Sequence, residues 1–379
     1  MKILIIANDY FNDSNGLCIS TQRFIKLFKE KGHEVRVVTN NRRGISEYPL
    51  EVYKVPIFHG IIEKEGYTFA KTDEKIITEA VKWCDIVHLE DPFPVCRFAS
   101  KLAVKYHKPC TATFHLYPEN MTYSAGIKWM HIDSIIMAYF RSSFKRATLI
   151  QCPTELVKER LLKYHFKNEL VTVSNGINLE SIQQQRLEKP EKYNNKFIIL
   201  CTGRYSNEKN QKDLIKAYAL SKHKDDIHII LAGKGPLEAK LKKLATKLNV
   251  DIEFSFYHQD ELKTIRGYAD LFIHCAKVEV EGMACMEAFA SGCVPIIAKN
   301  KLSSTSIYGL SDNNIYISKN VKELAFKIDY WYENKTKLEE YRNKYIELGK
   351  KLLINSSANK MLSHFDRIIR DYSLKEKKW

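Results

Sequence analysis

The 379-residue sequence has no uninterrupted apolar run of about 18 residues, so no segment reads as a membrane-crossing helix. Its start, MKILIIANDY, reads as a strand and a polar loop, not a secretory leader, and a cytoplasmic protein is expected. No C-x-x-C pair is present. The nine cysteines are an odd number scattered singly (Cys84, Cys110, Cys152, Cys201, Cys275), which argues against disulfides and thiolate metal sites and for reduced core residues. No helix-turn-helix, zinc-finger or RNP signature is visible, so no nucleic-acid partner is expected. Neither half opens on G-x-G-x-x-G, which disfavours an oxidoreductase.

What is there is positive charge and a repeating pattern. A formal charge of +15 points to an anionic partner, either a phosphate-bearing substrate or an acidic membrane surface. The length exceeds one ordinary core, and a hydrophobic content of 45% is enough to fill two. Apolar strand-like runs near 1–7, 33–39, 51–57, 85–89, 110–114 and 148–152 alternate with helix-like segments at 17–31, 72–83 and 94–106, which predicts a doubly wound parallel sheet. Residues 171–178 close this first domain, 1–178. The polar stretch 179–195, with Pro190, reads as a linker. A second domain is expected over 196–355, with a last helix over 356–379.

The most informative stretch is Glu279 to Pro295, EVEGMACMEAFASGCVP. Apolar runs at 270–276 and 294–298 predict buried strands on either side of a helix, with Gly282 at its start and Gly292 past its end. From Gly282 to Ala298 the only charged residue is Glu287. An unpaired carboxylate there would cost several kcal/mol, so Glu287 needs a partner. A ligand is one solution, and an outward-facing position is the other. Glu279 stands on the loop after the first strand, where open α/β sheets bind ligands. Carboxylates accept hydrogen bonds from sugar and ribose hydroxyls, and a helix start favours a diphosphate.

This pair of glutamates, with seven residues between them, resembles the signature of retaining glycosyltransferases of the GT-B fold, the family-four group. The resemblance implies two Rossmann-like domains facing across a cleft, a UDP-sugar donor, and a last helix crossing back onto the first domain. It implies that Glu279 holds sugar hydroxyls, that Glu287 holds the ribose, and that Gly282 and Met283 lie at the donor. In GRYSNEKNQ, Arg204 and Lys209 would hold the diphosphate; by residue type alone they are equally well two solvated surface cations. Gly233 and Gly235, in a Gly-Lys-Gly turn after a strand, would let the nucleotide approach the backbone. Gly16 would face the donor diphosphate, though turn geometry explains it as well. His115, in TFHLYPEN after a strand, would contact the transferred sugar. No D-x-D or histidine-rich cluster stands where a magnesium ion could hold the diphosphate, so neither metal nor cofactor is expected.

The EVEGMACMEAFASG motif, the PEN segment and NKLSSTS together resemble diacylglycerol glucosyltransferases, which implies a lipid acceptor such as 1,2-diacylglycerol. Surface-polysaccharide assembly on a polyprenyl-linked acceptor is the alternative. In residues 126–146, Trp129, Ile132, Ile135, Ile136, Tyr139, Phe140 and Phe144 form an apolar stripe, with Lys128, Arg141, Lys145 and Arg146 at its ends. Such a mixture suits a helix resting on an anionic membrane, peripheral to its inner face; an ordinary core helix would look the same. A nucleotide-sugar epimerase would need further cleft carboxylates. A non-catalytic sugar-binding protein would lack some of Arg204, Lys209, Glu279 and Glu287, all of which are present.

Overall fold

A computed structural model of the chain describes residues 1–12, 15–54, 67–125, 131–182 and 186–376. It divides into two compact units, one of residues 1–176 with 354–379 and one of residues 177–353.

The first unit is built on a seven-stranded parallel sheet of β1 (Lys2–Ile6), β2 (Glu34–Asn40), β3 (Tyr48–Leu50), β4 (Ile86–Leu89), β5 (Cys110–Thr113), β6 (Leu149–Cys152) and β7 (Glu169–Thr172). The spatial order is β3-β2-β1-β4-β5-β6-β7. Strand β1 is central, with Ile3 beside both Val35 and Ile86, which is why KILII is apolar on both faces. Helix α1 (Gly16–Glu30) is started by the Asn15 side chain, which accepts from the Leu17 N–H at 3.0 Å, and buries Phe24, Ile25 and Phe28. Gly32, at φ +82°, ends the connection to β2. Then follow α2 (Glu74–Trp83), α3 (Pro94–Lys105), α4 (Pro118–Ala125), α5 (Ile132–Phe144) and α6 (Glu155–Lys163). The strand expected near 51–57 differs. The sheet takes Tyr48–Leu50 instead, and Val52–Tyr53 pairs antiparallel with Phe69–Ala70; residues 55–66 lie outside the described ones.

The C-terminal helix (Ile354–Glu376) belongs to this first unit, where Met361, Leu362, Phe365 and Ile368 are buried with Phe24 and Phe28. The Phe28 and Phe365 rings meet edge to face at 5.8 Å.

The second unit holds a six-stranded parallel sheet of β8 (Phe197–Thr202), β9 (Ile227–Ala232), β10 (Ile252–Ser255), β11 (Leu271–His274), β13 (Val294–Lys299) and β15 (Ile315–Ile317), in the order β10-β9-β8-β11-β13-β15. A short parallel pair, β12 (Val278–Glu279) and β14 (Leu302–Ser303), lies beside it. Its helices are α7 (Lys212–Tyr218), α8 (Glu238–Lys247), α9 (Gln259–Tyr268), α10 (Met283–Ala290), α11 (Val321–Glu333) and α12 (Lys335–Lys350). The strand order reverses at β8, between β9 and β11, the topological switch point of a doubly wound sheet.

The described part of 179–195 is not a free linker. The Leu187 N–H donates to the Gly267 carbonyl at 3.0 Å, Lys189 pairs with Asp270 at 2.7 Å, and Tyr193 is buried with its hydroxyl 2.6 Å from Glu253. Its polar residues face buried partners on the second unit, a relationship that composition alone does not disclose. All nine cysteines are buried free thiols.

Candidate functional site

The carboxyl ends of β8, β9 and β11 bring the predicted donor residues of the second unit together. Beyond β8 the chain turns at Gly203, whose φ of +136° favours glycine. The loop from 203 to 211 is held by the Gln211 side-chain amide, which donates to the Arg204 carbonyl at 2.9 Å. Lys277 ties it to the segment before β12 by donating its N–H to the Glu208 carbonyl at 2.7 Å. The turn after β9 packs directly against this loop. A Cβ on Gly233 would lie 2.1 Å from the Gly203 carbonyl oxygen, and one on Gly235 would lie 2.7 Å from that of Tyr205. These two glycines are therefore required by a close approach of backbone to backbone.

Lys209 points from this loop to Glu279, with Nζ 2.5 Å from Oε2. Burial works against the ammonium charge, but Glu279 and Glu208 outweigh it, so Lys209 stays above the ordinary lysine range. Burial likewise works against the Glu279 carboxylate; Lys209, His274 and the Val280 N–H outweigh it and hold the group below its ordinary value. The His274 imidazole, at the end of β11, lies 3.6 Å from Glu279, and burial pulls it down to about 4, leaving it neutral at physiological pH. Arg204, about one-third exposed, pairs with Glu208 at 3.3 Å.

Helix α10 starts at Gly282, where φ is +92° and a Cβ would lie 2.5 Å from the Thr305 hydroxyl. No side chain caps the helix and no acidic residue occupies its first turn, which begins with Met283. The first-turn N–H groups thus lie beside the Glu279 segment, after an N-cap glycine that has no side chain to cap them. Pairing of β12 with β14 sets Ser303 opposite Glu279, and the Ser304 N–H donates to the Glu279 carbonyl at 3.0 Å. The hydroxyls of Ser303 and Ser304 are buried with no hydrogen-bond partner, an uncommon state that a polar ligand would relieve. The arrangement offers cations and N–H donors to an anion, and carboxylate, imidazole and hydroxyl groups to a sugar. Among the described residues no three His, Cys, Asp or Glu side chains are grouped so as to hold a metal ion.

Glu287 corrects the argument made from its isolation in sequence. Its buried carboxylate lies 3.1 Å from the buried guanidinium of Arg266 on α9, so its charge already has a partner within the protein. Arg266 sits 21 positions earlier in a helix of mixed composition, where nothing marked it as that partner. His274 was missed as well. In DLFIHCA it reads as strand filling, and only its position at a strand end was a signal.

In the first unit His115 lies just past β5, half-buried, with Nε2 2.8 Å from the buried carboxylate of Glu90. His88 completes the group, bonded to Thr111 at 2.8 Å and Thr113 at 2.9 Å. Beside them is a cavity of about 10 Å³, room for one water. Gly16 is the first residue of α1; a Cβ there would meet nothing within 4 Å, so neither crowding nor a left-handed turn demands glycine. The apolar stripe of α5 is split: Phe140 and Phe144 join Met137 in the core, whereas Ile135 is 65% exposed. The period placed all of them on one broad face, and neighbouring helices cover only part of it. Arg141 donates to the Tyr164 carbonyl at 3.0 Å, Lys145 is exposed at the end of α5, and Arg146 is half-buried. Lys128 and Trp129 lie outside the described residues.

Comparison with known proteins joins the two halves. Residues 14–181 match the family described as Glycosyltransferase Family 4, and residues 182–352 the one described as Glycosyl transferases group 1. The alpha-monoglucosyldiacylglycerol synthase of Streptococcus pneumoniae is 23% identical over 329 residues, which are 82% of this chain and 74% of that protein. The crystal structure of the catalytic domain of cholesterol-alpha-glucosyltransferase from Helicobacter pylori is 47% identical and covers 41% of this chain and 98% of that one, with a TM-score of 0.40. The fold of Anabaena HepE, solved in complex with UDP-glucose, superposes with a TM-score of 0.73 at 14% identity, covering 96% of this chain and all of that one. With the two matches lying end to end on two parallel-sheet units, the chain belongs to the group 1 glycosyltransferases of the GT-B fold, with a family-four N-terminal half.

Proposed function

We propose that this glycosyltransferase moves a hexose, glucose first among candidates, from a UDP-sugar to the hydroxyl of a lipid such as 1,2-diacylglycerol, with retention of anomeric configuration. The observation that carries the reading is the convergence of Lys209, Arg204, Glu279, His274 and the uncapped start of α10 at the carboxyl ends of β8 and β11. Glycosyl transfer builds positive charge at the anomeric carbon and negative charge on the departing diphosphate. Lys209, Arg204 and the first-turn N–H groups of α10 would meet the diphosphate. At an effective dielectric of about 20, one cation roughly 4 Å from a phosphate oxygen contributes about 4 kcal/mol of attraction, so this set can stand in for a metal ion. Glu279 and neutral His274 would hold hexose hydroxyls, His115, beside Glu90, would contact the transferred sugar, and Glu287, whose charge Arg266 already meets, would offer its other oxygen to the ribose. The departing diphosphate would take the acceptor proton on the face it leaves.

Among the described residues no helix is long and apolar enough to cross a membrane. Peripheral binding at an anionic inner membrane surface, through exposed Lys145 and Ile135 and half-buried Arg146, is part of the proposal. The test is mass spectrometry of products formed by the purified chain. UDP-glucose, UDP-galactose and GDP-mannose would be offered in turn with diacylglycerol, phosphatidylinositol, sterol and polyprenyl phosphate in vesicles. The reading expects a hexosyl lipid from a UDP-sugar. A product formed only on polyprenyl phosphate would favour surface-polysaccharide assembly, and one formed only from GDP-mannose would overturn the donor assignment.

A further inference from the structure

The second unit carries a cavity that the donor site does not use. It lies at the opposite edge of the sheet, where β8 begins at Phe197 and Asp270 precedes β11, and encloses about 240 Å³. Strand β8 is six residues long, so the cavity is about 20 Å from the loop that carries Arg204. Its walls include Arg186, Lys189, Lys196 and Lys335 against the carboxylates of Asp270 and Glu339.

Those carboxylates are already occupied. Asp270 is buried and accepts from Arg186, from Lys189 at 2.7 Å and from the Ile198 N–H at 2.8 Å. Glu339 takes Arg186 at 3.3 Å and Arg342 at 3.2 Å. Lys196 and Lys335 are placed differently. Lys196 donates one bond, 2.6 Å, to the Asp225 carbonyl, and Lys335 stands 5.6 Å from the centre of the Tyr332 ring. Lys335 is exposed and Lys196 half-buried, and neither contact is with a carboxylate, so two ammonium groups with donors to spare border the same space. The 16-residue helix α12 also begins here: Lys335, Leu338 and Glu339 line the cavity, no side chain caps the helix, and no acidic residue occupies its first turn.

We propose that this cavity is a second anion site, separate from the donor site, which takes a small phosphate-bearing solute between Lys196, Lys335 and the first turn of α12. The volume is many times the roughly 10–15 Å³ that one water needs, enough for a phosphate group and further atoms. The net positive lining selects an anion, and the paired state of Asp270 and Glu339 removes most of their repulsion. Lys189 and Arg186 serve as the clamp that holds residues 186–197 against the sheet and so keeps the cavity open.

The test uses the full chain and inorganic phosphate, titrated by calorimetry with and without saturating UDP. One equivalent of phosphate is expected to bind in both cases. The Lys196→Gln/Lys335→Gln double variant, shown by circular dichroism to keep its secondary structure, is expected to bind about tenfold more weakly or worse. Lys209→Met is expected to bind phosphate as the wild type does. Absence of binding, competition by UDP, loss in Lys209→Met, or unchanged affinity in the double variant would each overturn the proposal. A failure of the donor-site reading shows separately, as UDP that does not bind while phosphate does.

Discussion

Lys209 Nζ lies 2.5 Å from Glu279 Oε2, so the cation proposed to meet the diphosphate is engaged by the acid proposed to hold the sugar. A diphosphate approaching Lys209 therefore meets a neighbouring negative charge as well as the ammonium. Glu279→Gln keeps the shape and removes that charge. UDP affinity of this variant should rise severalfold while the rate of hexosyl transfer falls about 10²- to 10³-fold, the usual loss for one transition-state contact. Titration with UDP and initial-rate assays read the two effects separately. Weaker UDP binding in Glu279→Gln would count against the pairing argument.

The Arg266–Glu287 pair carries a different expectation. Sequence reasoning places Glu287 at a ligand and expects Glu287→Ala to abolish turnover with the fold intact. With both partners buried, that change leaves the guanidinium of Arg266 uncompensated, which costs about 3–5 kcal/mol. Urea unfolding of Glu287→Ala should show a lower midpoint, and Glu287→Gln, which can still accept from Arg266, a smaller shift. An unchanged midpoint with lost activity would return Glu287 to a purely ligand-facing role.

His274 makes the second unit sensitive to acid. Its folded value is about 4 against roughly 6.5 unfolded, so between those pH values the unfolded chain binds more protons. Its contribution is full above about pH 6.5 and is lost as pH falls toward 4, about 3 kcal/mol in all. Glu279, held below its ordinary value, weakens the fold in the same direction at lower pH still. His274→Gln should flatten the stability profile between pH 6.5 and 4. Denaturant midpoints across that range test this, and parallel profiles for variant and wild type would contradict it.

Much of the scaffold was legible from residue pattern. KILII, FIILCT and IHIILA are apolar on both faces because parallel strands are covered on both, and Gly32, Gly282 and Gly292 mark left-handed turns. The placement of some candidate residues was legible: Gly233, Gly235, Arg204, Lys209 and Glu279 all lie at or just past strand ends, the edge where open α/β sheets bind ligands. Long-range pairing was not. Arg266 with Glu287, Glu90 with His115, and Lys189 with Asp270 are 21, 25 and 81 positions apart, and polarity alone marks each member as solvated. Pro190 and its polar neighbours suggested a linker for the same reason.

The proposed membrane contact would rest on a smaller surface than the sequence stripe suggested, because Phe140 and Phe144 are core residues. Charge reversal at Lys145 and Arg146 should lower co-sedimentation with anionic vesicles, and added salt should lower that of the wild type. Binding that ignores both changes would assign the contact to another face.

The central claim is that the carboxyl edge of the second sheet holds a nucleoside diphosphate through Lys209. Calorimetric titration of UDP into wild type and Lys209→Met addresses it directly. A dissociation constant about tenfold or more higher in the variant is predicted. Equal affinity in the two proteins would contradict it.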